Sequence, residues 1–223
     1  MHEALQLLFP PRCITCQSPG AFHCAPCNQE WNGRFVNSVD GIPVFSSALY
    51  SHSVAHILMR AKEDNDKRAR EVLVKAIARH VPHSSTLIPI PSSKESLRRR
   101  GFDHALLLAK GIDARAEQIL EIRRKIEDQT ALSHDERFQN LHGAYRAGNF
   151  YIPRAVLIDD VVTTGSSIRE ALRALREAKI SPIAVVTAGL ATHPIPNTIG
   201  PRTTGGTVES FGQDSSRRRR SSS

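Results

Sequence analysis

The side chains best suited to chemistry fall in one stretch, residues 155–167, where an apolar run leads to Asp159 and Asp160, two valines, then Thr163, Thr164, Gly165, Ser166 and Ser167. Two adjacent carboxylates can accept hydrogen bonds from sugar hydroxyls or help to hold magnesium. Small hydroxyl residues around a glycine can wrap a phosphate, because glycine lets the backbone approach closely and a helix starting there offers free N–H groups to an anion. The flanking pattern supplies the supports. Residues 155–158 form a short apolar run with β-branched members, as expected of a strand buried on both faces of a parallel sheet. Beyond the turn, Ile168, Ala171, Leu172, Leu175 and Ala178 recur at helical spacing, and Ser167 with Glu170 makes a capping-box pattern. Ligands of open α/β sheets bind at the carboxyl ends of the strands, so the stretch reads as a phosphosugar site. A plain strand-turn-helix with a solvated Asp pair is the competing reading. A P-loop is a poorer alternative, since no Lys stands immediately before the Ser or Thr.

Two further groups carry chemistry. Arg98, Arg99 and Arg100 follow a short strand pattern at residues 87–91 and precede Gly101, so three guanidiniums could hold a pyrophosphate by charge-assisted hydrogen bonds or simply face solvent. Asp103 makes an N-cap for the helix carrying Ala105, Leu106, Leu107 and Ala109. Near the N-terminus, Cys13-x-x-Cys16 and Cys24-x-x-Cys27 hold all four cysteines of the chain. Two such turns can close a tetrahedral Cys₄ site of the structural zinc type. A redox dithiol, an iron-sulfur site or a disulfide pair are the alternatives, with His2 and His23 as nearby substitutes for a ligand. A module this small needs its metal to fold, and Leu5, Leu7, Leu8 and Phe9 are expected to pack it down.

The remaining elements follow in order. Residues 32–44 read as a Gly- and Pro-punctuated connector and residues 46–50 as a strand. Val54, Ile57, Leu58 and Ala61 then form one helix, and Val72, Leu73, Ala76, Ile77 and Val81 a second, stopped by Pro82. Residues 118–122 alternate as a strand, and residues 183–190 give a buried strand that completes a strand-helix-strand unit with residues 155–158. At 223 residues there is room for one medium α/β domain with additions. The net charge of +8 divides into +3 from residue 193 onward, where five Arg meet two acidic residues, and +5 in the body. Arg217, Arg218, Arg219 and Arg220 could attract nucleic acid, although a terminal basic run is also an ordinary solvated tail. No apolar run reaches the roughly 20 residues of a membrane span, and Met1 to Phe9 lacks the basic start of a signal peptide, so a cytoplasmic location is the default.

Residues 155–167 resemble the phosphoribosyl pyrophosphate (PRPP) signature of type I phosphoribosyltransferases. The resemblance implies that Asp159 and Asp160 hold the ribose hydroxyls and that Thr163, Thr164, Gly165, Ser166 and Ser167 hold the 5′-phosphate. A wider stretch, residues 10–192, resembles the ComF family of phosphoribosyltransferase-like proteins. It shares a Tyr-helix-Lys pattern ending at Lys62, a Pro-bounded strand followed by Arg-Arg-Gly-Phe, and the order Arg123-Arg124, Gln129, Leu132, Arg137, Asn140, Gly143-Ala144-Tyr145. It departs from the family at Asp103 and His104, and Asp128 sits near a position where the family more often has a small polar residue. The resemblance implies a type I phosphoribosyltransferase-like parallel sheet flanked by helices over residues 33–192, a small N-terminal zinc-binding module over residues 1–32, and a disordered basic tail over residues 193–223. It implies PRPP with magnesium as the ligand, Asp159, Asp160 and Arg100 as catalytic groups, and Arg98, Arg99 and Lys62 as phosphate contacts. Gln129, Arg137 and Asn140 would lie on a loop that closes over PRPP.

Two functions are expected from these readings. One is phosphoribosyl transfer to an acceptor that no sequence element identifies. The other is a nucleic-acid-associated role in DNA uptake or processing, with single-stranded DNA as a partner and the same site used for binding or regulation; the 5% aromatic content argues mildly against a broad base-stacking platform. Protein partners or self-association are open. A glutamine amidophosphoribosyltransferase is argued against, because the chain starts with Met1 rather than the nucleophilic cysteine of a glutaminase half.

Overall fold

The computed structural model describes residues 10–123, 141–148 and 150–191. In chain order its elements are α1 (Ala25–Gln29), β1 (Phe35–Val39), β2 (Ile42–Leu49), α2 (His52–Lys62), α3 (Lys67–Ala78), β3 (Thr86–Pro89), α4 (Lys94–Arg100), α5 (His104–Ile112), β4 (Leu120–Ile122), β5 (Tyr145–Ala147), β6 (Ala155–Val162), α6 (Ser166–Glu177) and β7 (Pro182–Leu190). Five strands form one sheet in the order β1-β2-β7-β6-β3. The pairs β2–β7, β7–β6 and β6–β3 are parallel, and only β1–β2 is antiparallel. The fold is therefore α/β with a mostly parallel sheet. The short antiparallel pair β4–β5 stands outside it.

Residues 155–158 are fully buried, as the apolar run predicts, because β6 lies between β7 and β3 and is covered on both faces. Val156 and Ile158 pack with residues of α2, α3 and α5, whereas Ala155 and Leu157 pack with Ile168, Leu172 and Leu175 of α6. This is the period-two alternation of a strand distributing its side chains between two layers. The helical patterns are met as well: α2 buries Val54, Ile57, Leu58 and Ala61, and α3 buries Val72, Leu73, Ala76 and Ile77. Each Val, Leu or Ile so buried contributes roughly 1.5–3 kcal/mol. The second helix ends at Ala78, before the Val81 and Pro82 of the sequence reading.

Residues 32–44 are not a connector. They contain β1, a two-residue turn and the start of β2, with Val39 facing Ile42 across Asp40 and Gly41. Asp40 and Gly41 have φ of 48° and 78°, the doubly left-handed turn whose twist suits a hairpin and which Asp-Gly adopts readily. Residues 120–122 do form a strand, but one paired with β5 over α6. Among the described residues no helix is long and apolar enough to cross a membrane.

Candidate functional site

The carboxyl ends of β3 and β6 open into a cleft of about 530 Å³. Four supports meet there: Lys62 at the end of α2, Ser96, Arg99 and Arg100 on α4, His104 at the start of α5, and Tyr145 on β5. Asp159, Asp160, Thr163 and Ser167 enter from β6 and the turn after it. The strand-end position expected for a ligand site is thus where the acidic pair sits.

Asp160 is buried, and its Oδ2 accepts a hydrogen bond from Lys62 Nζ at 2.6 Å. Burial alone would raise its pKa, but the ammonium outweighs burial and holds the carboxyl below its ordinary range. Lys62 is correspondingly held above the ordinary lysine value, its burial outweighed by Asp160. Lys62 is therefore an ion-pair partner of the acidic residue, where the family resemblance implies a phosphate contact. Asp159 behaves oppositely. Burial and the neighbouring Asp160 charge push its carboxyl well above the usual range. His104 lies behind the pair, with Nε2 3.9 Å from Asp160 Oδ2 and only 2% of its side chain exposed. Neither ring nitrogen has a hydrogen-bond partner, and burial pulls its pKa down to about 4, so the imidazole is neutral at neutral pH.

The arginine triplet is helical, not a loop. Ser93 caps α4 by accepting from Ser96 N, and Gly101 ends it in the left-handed conformation. A helix turns each successive side chain through about 100°, so the three guanidiniums diverge. Arg98 is exposed and does not line the cleft, whereas Arg99 and Arg100 do. Arg100 has 3% of its side chain exposed, and its Nη1 has no hydrogen-bond partner. Glu63 faces both cations, with Oε2 2.9 Å from Arg99 Nη1 and Oε1 3.6 Å from Arg100 Nη1.

The turn after β6 differs from its expected capping. α6 begins at Ser166, and Gly165 occupies the N-cap with φ 74°, without a side-chain cap. Ser167 and Glu170 make no capping box. Glu170 turns inward instead, accepting from Tyr145 N at 2.9 Å and from Arg173, which also donates to the Tyr145 carbonyl. This clamp fixes β5 on α6 and thereby places Tyr145 in the cleft. Thr164 and Ser166 hydroxyls pair at 2.9 Å and stay out of the lining together with Gly165, while Thr163 and Ser167 reach it. Gln129, Arg137 and Asn140 lie outside the described residues, as do His2, the Leu5 to Phe9 apolar group and the Arg-rich tail.

The four cysteine sulfurs lie within 4.8 Å of one another, the one such group of His, Cys, Asp or Glu among the described residues that could hold a metal ion. Four thiolates about 2.3 Å from an ion would stand about 3.8 Å apart, which this cluster matches. Its Cys16–Cys24 separation of 3.5 Å is far longer than the bond of about 2.05 Å in a disulfide, and all four cysteines are free. Burial acts to raise the Cys13 thiol, but hydrogen bonds from the Cys24, Cys16 and Thr15 backbone outweigh it and lower the pKa to about 6. A thiolate is thus favoured at Cys13, whereas burial and the neighbouring thiols push Cys27 up. Ile14 and Trp31, from the same region, belong to the buried cluster that includes α2 and α3.

His104, Glu63 and Tyr145 are the residues of this region that sequence reasoning did not assign to the site. His104 and Glu63 had no signal, since a lone His ahead of an apolar run and a Glu in a charged run are commonplace. Tyr145 stood in the family pattern without a role.

Fold and site together define an α/β protein with an acidic strand end, a basic helix beside it and a four-cysteine cluster able to hold a metal ion. No family model matches the chain. It is 29% identical over 178 residues to competence protein ComFC of Bacillus subtilis (strain 168), covering 74% of this chain and 71% of that relative. It is 31% identical over 108 residues to competence protein F of Haemophilus influenzae (strain ATCC 51907 / DSM 11121 / KW20 / Rd), covering 44% and 47% respectively. Over these stretches the chain is similar to both competence proteins.

Proposed function

We propose that the cleft binds PRPP with magnesium and that the protein transfers the phosphoribosyl group to an acceptor, releasing pyrophosphate, on a type I phosphoribosyltransferase-like domain. The observation that carries this reading is Arg100: a guanidinium with 3% of its side chain exposed, whose Nη1 makes no hydrogen bond and meets the Glu63 carboxylate only at 3.6 Å, lining the same cleft as Asp159 and Asp160. A buried, incompletely answered cation is costly unless an anion completes it. In the transfer, the bond between ribose C1 and the pyrophosphate oxygen breaks, the electron pair leaves with pyrophosphate, and the acceptor bonds to C1. Arg100 and Arg99 would hold the charge growing on pyrophosphate, with Arg98 at the outer edge of the same helix. Asp159 and Asp160 would orient the ribose hydroxyls and favour the cationic ring. Thr163 and Ser167, which line the cleft, would take the 5′-phosphate at the turn formed by residues 163–167, and Gln129, Arg137 and Asn140 would belong to the closing loop.

Magnesium in this reading arrives with the ligand, since that ion is commonly held through substrate phosphates and one or two carboxylates. The cysteine cluster would hold structural zinc and build an N-terminal module over residues 1–32 beside a domain of residues 33–192. The test is pyrophosphate release from PRPP and magnesium across a panel of bases and amines. Release with at least one acceptor, reduced at least tenfold by Arg100→Gln, is expected; PRPP binding without release to any acceptor would remove the transfer step from the reading.

A second reading places the protein in DNA uptake, because both relatives are named competence proteins and the body carries a charge of +5. Single-stranded DNA affinity falling steeply with salt, and lost on replacing body arginines, would support it.

A further inference from the structure

The charges of the cleft are answered from within by two consecutive residues. Lys62 gives its ammonium to Asp160, and Glu63 gives its carboxylate to Arg99 and Arg100. Arg99 makes two contacts with it, Nη1 to Oε2 at 2.9 Å and Nη2 to Oε1 at 3.3 Å. The segment that carries the arginines has little else to hold it. α4 adds no residue to the hydrophobic core, its Leu97 being 42% exposed, although the Arg100 side chain is tucked under it. Its base is closed on itself by Asp103, which accepts from Ser92 N at 2.9 Å and from Ser92 Oγ at 3.3 Å. Glu63 is thus the anion that ties this excursion to the end of α2, and it occupies the guanidinium edges that a phosphate ligand would need.

Resting on the reading of the cleft as a diphosphate site, we propose that Glu63 is a resident counter-ion that stands in for the diphosphate on Arg99 and Arg100 and straps α4 until the ligand displaces it. The exchange is favourable for chemical reasons. A carboxylate offers one charge to a pair in which Arg99 is 62% exposed, and such pairs are weak. A diphosphate offers several charged oxygens in the geometry that guanidinium forks accept in pairs. Displacement also leaves α4 free to follow the ligand, so the strap couples occupancy of the cleft to the position of the helix.

The experiment is titration calorimetry with inorganic pyrophosphate at fixed ionic strength on the full chain, Glu63→Gln, Arg99→Gln and the double variant, alongside hydrogen exchange of residues 94–100 without ligand. The strap predicts that Glu63→Gln binds pyrophosphate about fivefold tighter, the upper range for an exposed ion pair. It predicts that this gain falls below twofold in the Arg99→Gln background and that residues 94–100 exchange faster in Glu63→Gln. Pyrophosphate binding that is unchanged or weaker in Glu63→Gln would overturn the strap and leave the diphosphate site standing. An equal gain with Arg99 absent would show a diffuse field effect and overturn it too. No pyrophosphate binding by any of the four proteins would overturn the diphosphate site and the strap together.

Discussion

Asp159 and Asp160 are neighbours in sequence with opposite energetics. Asp160 is matched by Lys62 at 2.6 Å and held ionised, while Asp159 bears burial and the Asp160 charge with no cation paired to it, its Oδ1 accepting from Asp160 N at 2.9 Å. Removing the matched member strands a largely buried ammonium, so Asp160→Asn is expected to lower stability at neutral pH by about 2 kcal/mol, below the usual 3–5 for breaking a buried pair because Lys62 is partly exposed. Asp159→Asn relieves repulsion and is expected to raise stability by about 1 kcal/mol while abolishing ligand binding, the trade expected of a functional group kept in an unfavourable place. Urea denaturation of both variants checks the opposite signs. His104 gives a pH signature. Its pKa of about 4 in the fold lies below the roughly 6.5 of an unfolded chain, so the unfolded state binds the extra proton first and the protein loses stability as pH falls through that interval. Asp160, Lys62, Arg100 and Arg70 are the charges acting on it. His104→Gln should flatten the loss by on the order of 2 kcal/mol between pH 6.5 and 4.5, read as the difference between the two stability curves.

The elements that position these residues were legible to different degrees, for physical reasons. The β6 strand and α6 helix stood out because an apolar run and a 3.6-residue period are properties of the chain alone. What was missed depended on partners. The capping box at Ser167 and Glu170 fits the local pattern, but Glu170 gains more by turning inward to Tyr145 and Arg173, a contact between residues 25 apart in sequence. The β1–β2 hairpin was passed over although Val39-Asp40-Gly41-Ile42 carries its turn chemistry. The arginine triplet was read as one charged group until helical geometry separated exposed Arg98 from buried Arg100. The cysteine spacing was legible throughout, because close approach of the thiols follows from the turns themselves. Ile14 and Trp31 tie that region to the core shared by α2 and α3. Loss of a metal held by the four cysteines should therefore act beyond that cluster. Chelation, or Cys13→Ser, is expected to lower the melting temperature of the whole transition by at least about 5 °C, the scale of roughly 1–2 kcal/mol in a domain of this size, with metal analysis giving one zinc per chain beforehand. A melting curve unmoved by chelation of a zinc-loaded protein would confine the cluster to a local role.

At the scale of the whole molecule, a parallel sheet gathers three separate sequence features at one edge: the acidic end of β6, the basic helix after β3, and the Lys62-Glu63 pair that ends α2. None of them is specific alone. Together they make a cleft whose acidic and basic sides suit a sugar hydroxyl pair and a diphosphate, in a chain similar to two competence proteins. The donor site is the part of the reading that geometry bears on. The most direct test is calorimetric titration of PRPP with magnesium into the wild type and Arg100→Gln. The account predicts saturable binding to the wild type, weakened at least tenfold by the substitution with folding unchanged; a wild type that binds no PRPP would contradict it.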